Sequence, residues 1–187
     1  MNLDLKSKQK IKLIITANTG WYIYNFRIDL IKYLKLKKYE IYIICPNDRY
    51  SEKLKNMGLN VINWELNRKS LNPFIELLSI LHLIKIYTKI KPNIVHHFTL
   101  KACIYGSLSA SLFSKTKIIN SITGLGPLFL SRNKLIKLVY FVFKSLFRYI
   151  FNNLSDRVIF QNKYDRKKYL QLNITSSDKS IIIPGSG

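Results

Sequence analysis

Acidic residues are scarce. Ten Asp and Glu stand against 31 Lys and Arg in 187 residues, a formal net charge of +21. The few acids are not clustered, so neither a carboxylate-rich metal site nor a carboxylate array for proton abstraction is legible. Cysteine is nearly absent. Cys45 and Cys103 lie far apart with no CxxC or metal-type spacing, and read as reduced thiols in a cytoplasmic setting. Glycine is also sparse, with seven residues and no GxGxxG, so the dinucleotide fingerprint is missing. Long apolar runs are missing too. Charge-free stretches such as 118–131 contain Gly and Pro and fall short of the ~18 residues a membrane span needs. The first apolar run, from Ile11, is broken by Lys12 and soon meets Asn18 and Gly20, which argues against a signal peptide.

What is present is a substantial core, with 48% hydrophobic residues. The positive charge suits phosphate in some form, as nucleotide, nucleic acid or anionic lipid headgroup. Lys, Ile and Asn are abundant together, and AT-rich coding alone produces that bias. No RRM, KH or helix-turn-helix pattern appears, and the basic residues are spread rather than clustered around readout aromatics. No nucleic-acid partner is expected.

Short β-branched apolar runs at 11–17, 40–46, 60–66, 93–98, 117–123, 156–162 and 180–184 read as strands covered on both faces. Helical patterns lie between them, near 22–37, 51–57, 73–90, 101–113, 133–154 and 163–172. Ser51 is placed to cap one helix and Gly58 to close it, while Asn72-Pro73 is an N-cap followed by proline at the first helical position. This alternation predicts an α/β fold, a Rossmann-like doubly wound parallel sheet with helices on both faces. Polar loops follow five of the strands: Thr19-Gly20, Asn47-Asp48, His97 to Lys101, Thr123 to Gly126, and Gln161-Asn162. In an open parallel sheet these loops share the carboxyl edge, where ligands bind.

In ANTGWYIYNFR (17–27), Gly20 fits either a phosphate-approaching turn at a helix N-terminus or a plain strand-to-helix turn, and the stretch alone favours the plain turn. Arg27 fits a phosphate or carboxylate clamp and equally a solvated helix position. In IVHHFTLKACIYG (94–106), strand alternation sends His96 and His97 to opposite faces. His96 is expected to be a satisfied core histidine. His97, with Thr99 and Lys101, is expected to face the ligand edge, where imidazole and ammonium steady a phosphate or polarise a hydroxyl. SITGLGPLF (121–129) fits a phosphate- or sugar-contacting loop or a tight turn ended by Pro127. On the 133–154 helix, Lys134, Lys137, Lys144 and Arg148 fall on one narrow stripe amid Leu, Val, Ile and aromatics. Such a helix can lie on an anionic membrane, and it can equally pack on the sheet with its charged face solvated.

Taken together, TANTGWYIYNFRIDLIKYL (16–34), NRKSLNP (67–73), IVHHFTLKACIYGSLSA (94–110), ITGLGPLF (122–129), VIFQNKYDR (158–166) and the terminal IIIPGSG resemble the N-terminal domain of the family 4 glycosyltransferases, of GT-B fold. The pieces run in order from about Ile11 to Gly187. They look most like the bacterial branch that extends polyprenyl-diphosphate-linked glycans for cell-surface polysaccharide. That resemblance implies a retaining transfer from a nucleotide diphosphate sugar to a lipid-linked glycan acceptor, with no metal and no cofactor beyond the nucleotide sugar as co-substrate. It implies a cytoplasmic protein, peripheral on the inner face of the membrane, with the 133–154 helix as its contact.

By the same likeness Gly20 sits near the donor diphosphate and His97 is the catalytic candidate. Arg27, Thr99, Lys101, Thr123, Gly124 and Gly126 contact substrate. Many relatives carry two histidines separated by one residue here, and Phe98 stands at the place of the second, with His97 as the residue to substitute. Residues 1–10 read as a basic tail and 11–187 as the acceptor-side domain, ending at the start of the interdomain crossover. The donor-binding domain lies outside this chain, so the 187 residues alone are expected to bind acceptor without transferring sugar. The rival readings are a non-catalytic module that binds phosphate or nucleic acid or a membrane surface, and another GT-B enzyme such as a sugar-nucleotide epimerase.

Overall fold

The computed structural model describes residues 10–70, 72–124 and 144–185. Seven strands, β1 (Lys12–Thr16), β2 (Glu40–Cys45), β3 (Asn60–Asn63), β4 (Ile94–Phe98), β5 (Lys117–Ile122), β6 (Arg157–Phe160) and β7 (Ser180–Ile182), form one sheet in the order β3-β2-β1-β4-β5-β6-β7. Every pairing is parallel; Thr16 lies beside Ile44 on one side and His97 on the other. The chain steps outward from β1 to β3, then returns to β4 on the other side of β1. The doubly wound expectation is met, and the reversal opens a crevice at the carboxyl ends of β1 and β4.

Right-handed crossovers explain the layers. Helices α1 (Gly20–Phe26), α2 (Ile28–Leu36) and α3 (Arg49–Asn56) cover one face, where Ile15, Ile23, Ile31, Ile43 and Leu54 are buried. Helices α4 (Pro73–Ile90) and α5 (Leu100–Ala110) cover the other, over Ile14, Ile44, Trp64, Leu83, Tyr87 and Val95. A third cluster joins Phe151, Val158 and Phe160 to Tyr169 of α6 (Lys163–Gln171).

Local differences from the sequence reading have identifiable causes. The helix expected over 22–37 breaks at Arg27, whose φ of −128° and ψ of 1° leave the helical region and divide α1 from α2. The cap of α3 is Asp48, with Ser51 Oγ accepting from the Asp48 backbone N–H as the other half of a capping box. The apolar run at 60–66 leaves the sheet after Asn63, because Trp64 turns inward and its indole N–H donates to the Ser79 carbonyl at 3.0 Å. Of the helix expected at 133–154, residues 144–149 are helical and Ile150–Leu154 form a π-helical turn. Phe147, Ile150 and Phe151 are buried there, and the Arg148 guanidinium donates to the Asn173 carbonyl at 2.9 Å. Lys134, Lys137 and Gly126 lie outside the described residues.

Candidate functional site

Strand β4 separates two adjacent histidines completely. His97 points under α4 and α5 and is fully buried. Its Nδ1–H donates to Asn120 Oδ1 at 2.9 Å, so Nε2 is the acceptor and receives the Tyr87 hydroxyl at 3.0 Å. Tyr87 in turn accepts from Thr16 Oγ1 at 3.4 Å, while the Asn120 amide donates to Ser107 and Ser155 at 2.8 and 2.7 Å. Each link of this chain is buried and paired, as an interior polar group must be. Helix α5 comes so close that a Cβ on Gly106 would lie 2.4 Å from His97 Nε2. Burial pushes the His97 imidazole down to about 4, against a smaller opposing pull from Asn120, which keeps the ring neutral. The expected exposure of His97 at the ligand edge is therefore corrected: alternation was read properly, but α4 and α5 cover its face.

His96 is the half-buried one, and it faces a cavity. The cavity measures about 390 Å³ and lies near the carboxyl ends of β4, β5 and β6, walled by the α1–α2 junction. His96 Nε2 is 2.7 Å from Ser121 Oγ, and its ring stacks obliquely on Phe98 at 4.1 Å between centroids. The Arg27 guanidinium lies 4.5 Å from the Phe98 centroid and 5.1 Å from that of Tyr22. It donates to the Phe26 carbonyl at 3.1 Å and to the Tyr22 hydroxyl, while its buried Nε–H has no partner among the described residues. No carboxylate comes within 4 Å of it among the described residues; Asp29 lines the same cavity but its side chain is fully exposed. Burial, reinforced by His97 and the Arg27 charge, pushes His96 down to about 3. The Tyr22 hydroxyl is raised by burial, with Arg27 pulling the other way. The result is a neutral imidazole beside an unopposed guanidinium, framed by aromatic faces. Such a wall suits an anionic group attached to a ring or chain with apolar surface.

The remaining predicted residues fall into three groups. Gly20 meets a neighbouring carboxylate: its N–H and that of Trp21 donate to Asp48 Oδ2 at 3.0 and 3.3 Å, while Asp48 Oδ1 accepts from Tyr50 and Ser51. One carboxylate thus caps α3 and also accepts the first two N–H groups of α1, whose own N-cap is Thr19, and a Cβ on Gly20 would sit 2.5 Å from it. Lys101 is likewise engaged, its ammonium held by the carbonyls of Asn67 and Ser70 at 3.0 and 2.7 Å and by Glu76 at 2.8 Å. That uses all three donors and ties α5 to the 67–70 loop, away from the His96 cavity. Thr99 does sit at the crevice, at φ 75° and ψ 148°, a rare conformation for a β-branched residue, and its hydroxyl accepts the Asn18 N–H at 3.3 Å. It fastens the β1 loop to the β4 loop. Thr123 and Gly124 end β5 at the same edge, half-buried and exposed respectively.

Sequence reasoning missed His96 and Phe98 as cavity walls, although their spacing of two already placed them on one face. It missed Tyr22 and Ser121, whose relevance comes from contacts distant in sequence. A larger, shallower depression of about 570 Å³ lies between the 65–69 loop and α4, apart from both histidines. Among the described residues no group of three His, Cys, Asp or Glu side chains could hold a metal ion.

A doubly wound parallel sheet with helices on both faces defines a Rossmann-like α/β domain. The chain belongs to the glycosyl transferase 4-like family, which matches residues 10–162. It is 30% identical over 166 residues to a Campylobacter jejuni N,N'-diacetylbacillosaminyl-diphospho-undecaprenol alpha-1,3-N-acetylgalactosaminyltransferase, an alignment covering 89% of this chain and 44% of that protein. Its fold matches a glycosyltransferase from Rickettsia africae at a TM-score of 0.66 and 18% identity, over 94% of this chain and 43% of the other. It also matches the UDP-GlcNAc 2-epimerase of Methanocaldococcus jannaschii at 0.65 and 17%, over 94% and 46%. The chain thus spans less than half the length of these relatives. At such identities the two structural matches speak for the fold alone.

Proposed function

We propose that this chain is the acceptor-side domain of a retaining glycosyltransferase that moves a sugar from a nucleotide diphosphate sugar to a polyprenyl-diphosphate-linked glycan in cell-surface polysaccharide synthesis. The observation that carries the reading is the unopposed Arg27 guanidinium in the His96–Phe98 cavity, in a chain whose relative acts on a diphospho-undecaprenol-linked sugar. Arg27 supplies charge and directed N–H donors for a phosphate or diphosphate. Phe98 offers an apolar face to a sugar ring or the first prenyl carbons. His96, neutral and with Nδ1 lacking a partner among the described residues, is placed to hydrogen-bond a sugar hydroxyl. In this reading His96 takes the site role that the sequence assigned to His97, and Arg27, Thr99, Thr123 and Gly124 stay on the acceptor side.

Gly20 contributes through Asp48, which holds the α1 and α3 N-termini in place of an external phosphate. Residues 11–187 act as one domain of a two-domain cleft and bind acceptor without transferring sugar alone. The protein works on the cytoplasmic side, at the membrane that carries its acceptor.

The test is transfer of labelled sugar from UDP-sugars to a polyprenyl-diphosphate-linked N-acetylhexosamine, using the full-length gene product. Arg27→Ala should reduce kcat/KM by about tenfold to a hundredfold, the value of one or two charged hydrogen bonds. His96→Ala should act in the same direction. Full activity in both variants, or transfer by residues 1–187 alone, contradicts the proposal.

A further inference from the structure

Strand β5 presents one polar side chain to each histidine of β4. Ile119, Asn120 and Ser121 lie in register beside His96, His97 and Phe98. Alternation therefore puts Asn120 on the His97 face, and Ser121 on the face shared by His96 and Phe98. Asn120 Oδ1 can only accept, which fixes the proton of His97 on Nδ1. Ser121 is different, because a hydroxyl can donate or accept. Which of the two it does determines what His96 offers to the cavity.

The pairing of buried groups answers this. Ser121 is 3% exposed, and among the described residues its hydroxyl has no partner besides His96 Nε2 at 2.7 Å. If Nε2 carried the proton, His96 would donate and the Ser121 O–H would be left buried without an acceptor. If Nε2 is bare, the hydroxyl donates to it and both atoms are satisfied. An unpaired buried donor disfavours the first arrangement by about fivefold or more in population. The distance agrees, since 2.7 Å is ordinary for a hydroxyl donor and short for a ring N–H. The other ring nitrogen does not oppose the choice. His96 is half-buried, and among the described residues its Nδ1 is neither hydrogen-bonded nor sealed from the cavity, so water or a ligand satisfies it in either form. Burial keeps the ring neutral, so one nitrogen alone carries a proton.

We infer that Ser121 is a positioning residue that holds His96 as the Nδ1–H tautomer, making the imidazole a donor that selects an acetamido carbonyl on the ligand. The proton on the far nitrogen follows from the bond made by the near one. A second unpaired donor stands close by, the buried Arg27 Nε–H. Both groups lie against Phe98, the imidazole 4.1 Å and the guanidinium 4.5 Å from its ring centroid. Donors flanking an aromatic face suit an oxygen acceptor that has apolar atoms attached. Among sugar substituents an acetamido group offers both, its carbonyl oxygen to His96 Nδ1–H and its methyl to Phe98. A sugar hydroxyl accepts too, but its own proton finds no acceptor on His96 or Arg27. The selection rests on the reading of the cavity as the acceptor site; the tautomer does not.

The experiment is a long-range proton–nitrogen correlation spectrum of the purified chain, labelled with nitrogen-15 in its histidines, where protonated and bare ring nitrogens resonate far apart. His96→Gln assigns the His96 signals by their loss. The parent should show His96 with Nδ1 protonated and Nε2 bare. Ser121→Ala should let the two nitrogens share the proton, Ser121→Thr should restore the parent pattern, and His97 should keep its own tautomer throughout. A protonated Nε2 in the parent, or an unchanged tautomer in Ser121→Ala, would overturn the inference. Calorimetry then compares a farnesyl-diphosphate-linked N-acetylhexosamine with the hexose that lacks the acetamido group. The parent should prefer the acetamido sugar about tenfold, and Ser121→Ala should lose about threefold of that preference, the smaller worth of one neutral hydrogen bond. Equal affinities in the parent would overturn the selection. Binding of neither sugar would overturn the selection together with the acceptor-site reading, while the spectrum would still decide the role of Ser121.

Discussion

The two faces of β4 carry nearly the same chemistry and put it to opposite uses. On one, His97 is held at both ring nitrogens, covered by α4 and α5, with every polar neighbour paired. On the other, among the described residues, His96 has one hydrogen-bond partner, an aromatic neighbour, a guanidinium with no carboxylate within 4 Å, and a cavity in front of it. One residue of displacement along a strand decides between them. A satisfied buried network fixes structure; an incompletely satisfied one at a sheet edge is where a ligand completes the bonding.

The comparison breaks most visibly at Gly106. Gly106→Ala places a methyl against an imidazole that cannot move without losing a bond, and should destabilise the fold by about 3–4 kcal/mol, from overpacking plus one broken buried hydrogen bond. Urea unfolding measures it; a change below ~1 kcal/mol would mean His97 is not clamped.

Acid tests both faces together. Each imidazole titrates near 6.5 when unfolded and far lower when folded, His97 at about 4 and His96 at about 3. The unfolded chain binds more protons in that window, so stability present above pH ~6.5 falls as the pH drops through it. For His97 the loss is on the order of 3 kcal/mol and is complete near its folded value. His97→Gln should be less stable at neutral pH and show a shallower fall between pH ~6.5 and ~4, read from unfolding midpoints across pH.

Asp48→Ala sharpens the contrast between a built-in anion and a bound one. Helix α3 loses its N-cap and the α1 N-terminus, still capped by Thr19, loses the acceptor for its Gly20 and Trp21 N–H groups, and about 2 kcal/mol of stability should go with them, at roughly 1 kcal/mol per helix end. If added phosphate restored that stability in the variant alone, the pair of N-termini would be shown to accept an external anion. Smallest in stability is Arg27→Lys, expected within ~1 kcal/mol of the parent because the residue is at the cavity wall. Its acceptor binding should nevertheless weaken, since lysine lacks the planar fork and the stacking on Phe98.

Much of the fold was legible in the sequence. Strands betrayed themselves by β-branched runs, and Asn72-Pro73 marked the start of α4, where the Asn72 side chain accepts the Phe74 N–H. The polar loops pointed to the edge near which the His96 cavity lies. The orientation of β4 was not legible, because alternation separates His96 from His97 without saying which face the crossover helices cover. Knowing that requires the strand order, in which the return from β3 to β4 carries α4 over the His97 side. Lys101 and Gly20 read as ligand contacts for a similar reason. Their partners, Glu76 and Asp48, are 25 and 28 residues away and meet them only in the folded chain.

The most direct measurement is the affinity of the chain for a farnesyl-diphosphate-linked N-acetylhexosamine, by titration calorimetry, in the parent and in Arg27→Ala. Saturable binding by the parent is expected, with a loss of about tenfold or more in the variant and unchanged circular dichroism. Equal affinity in the two would contradict the assignment of the His96–Arg27 cavity as the acceptor site.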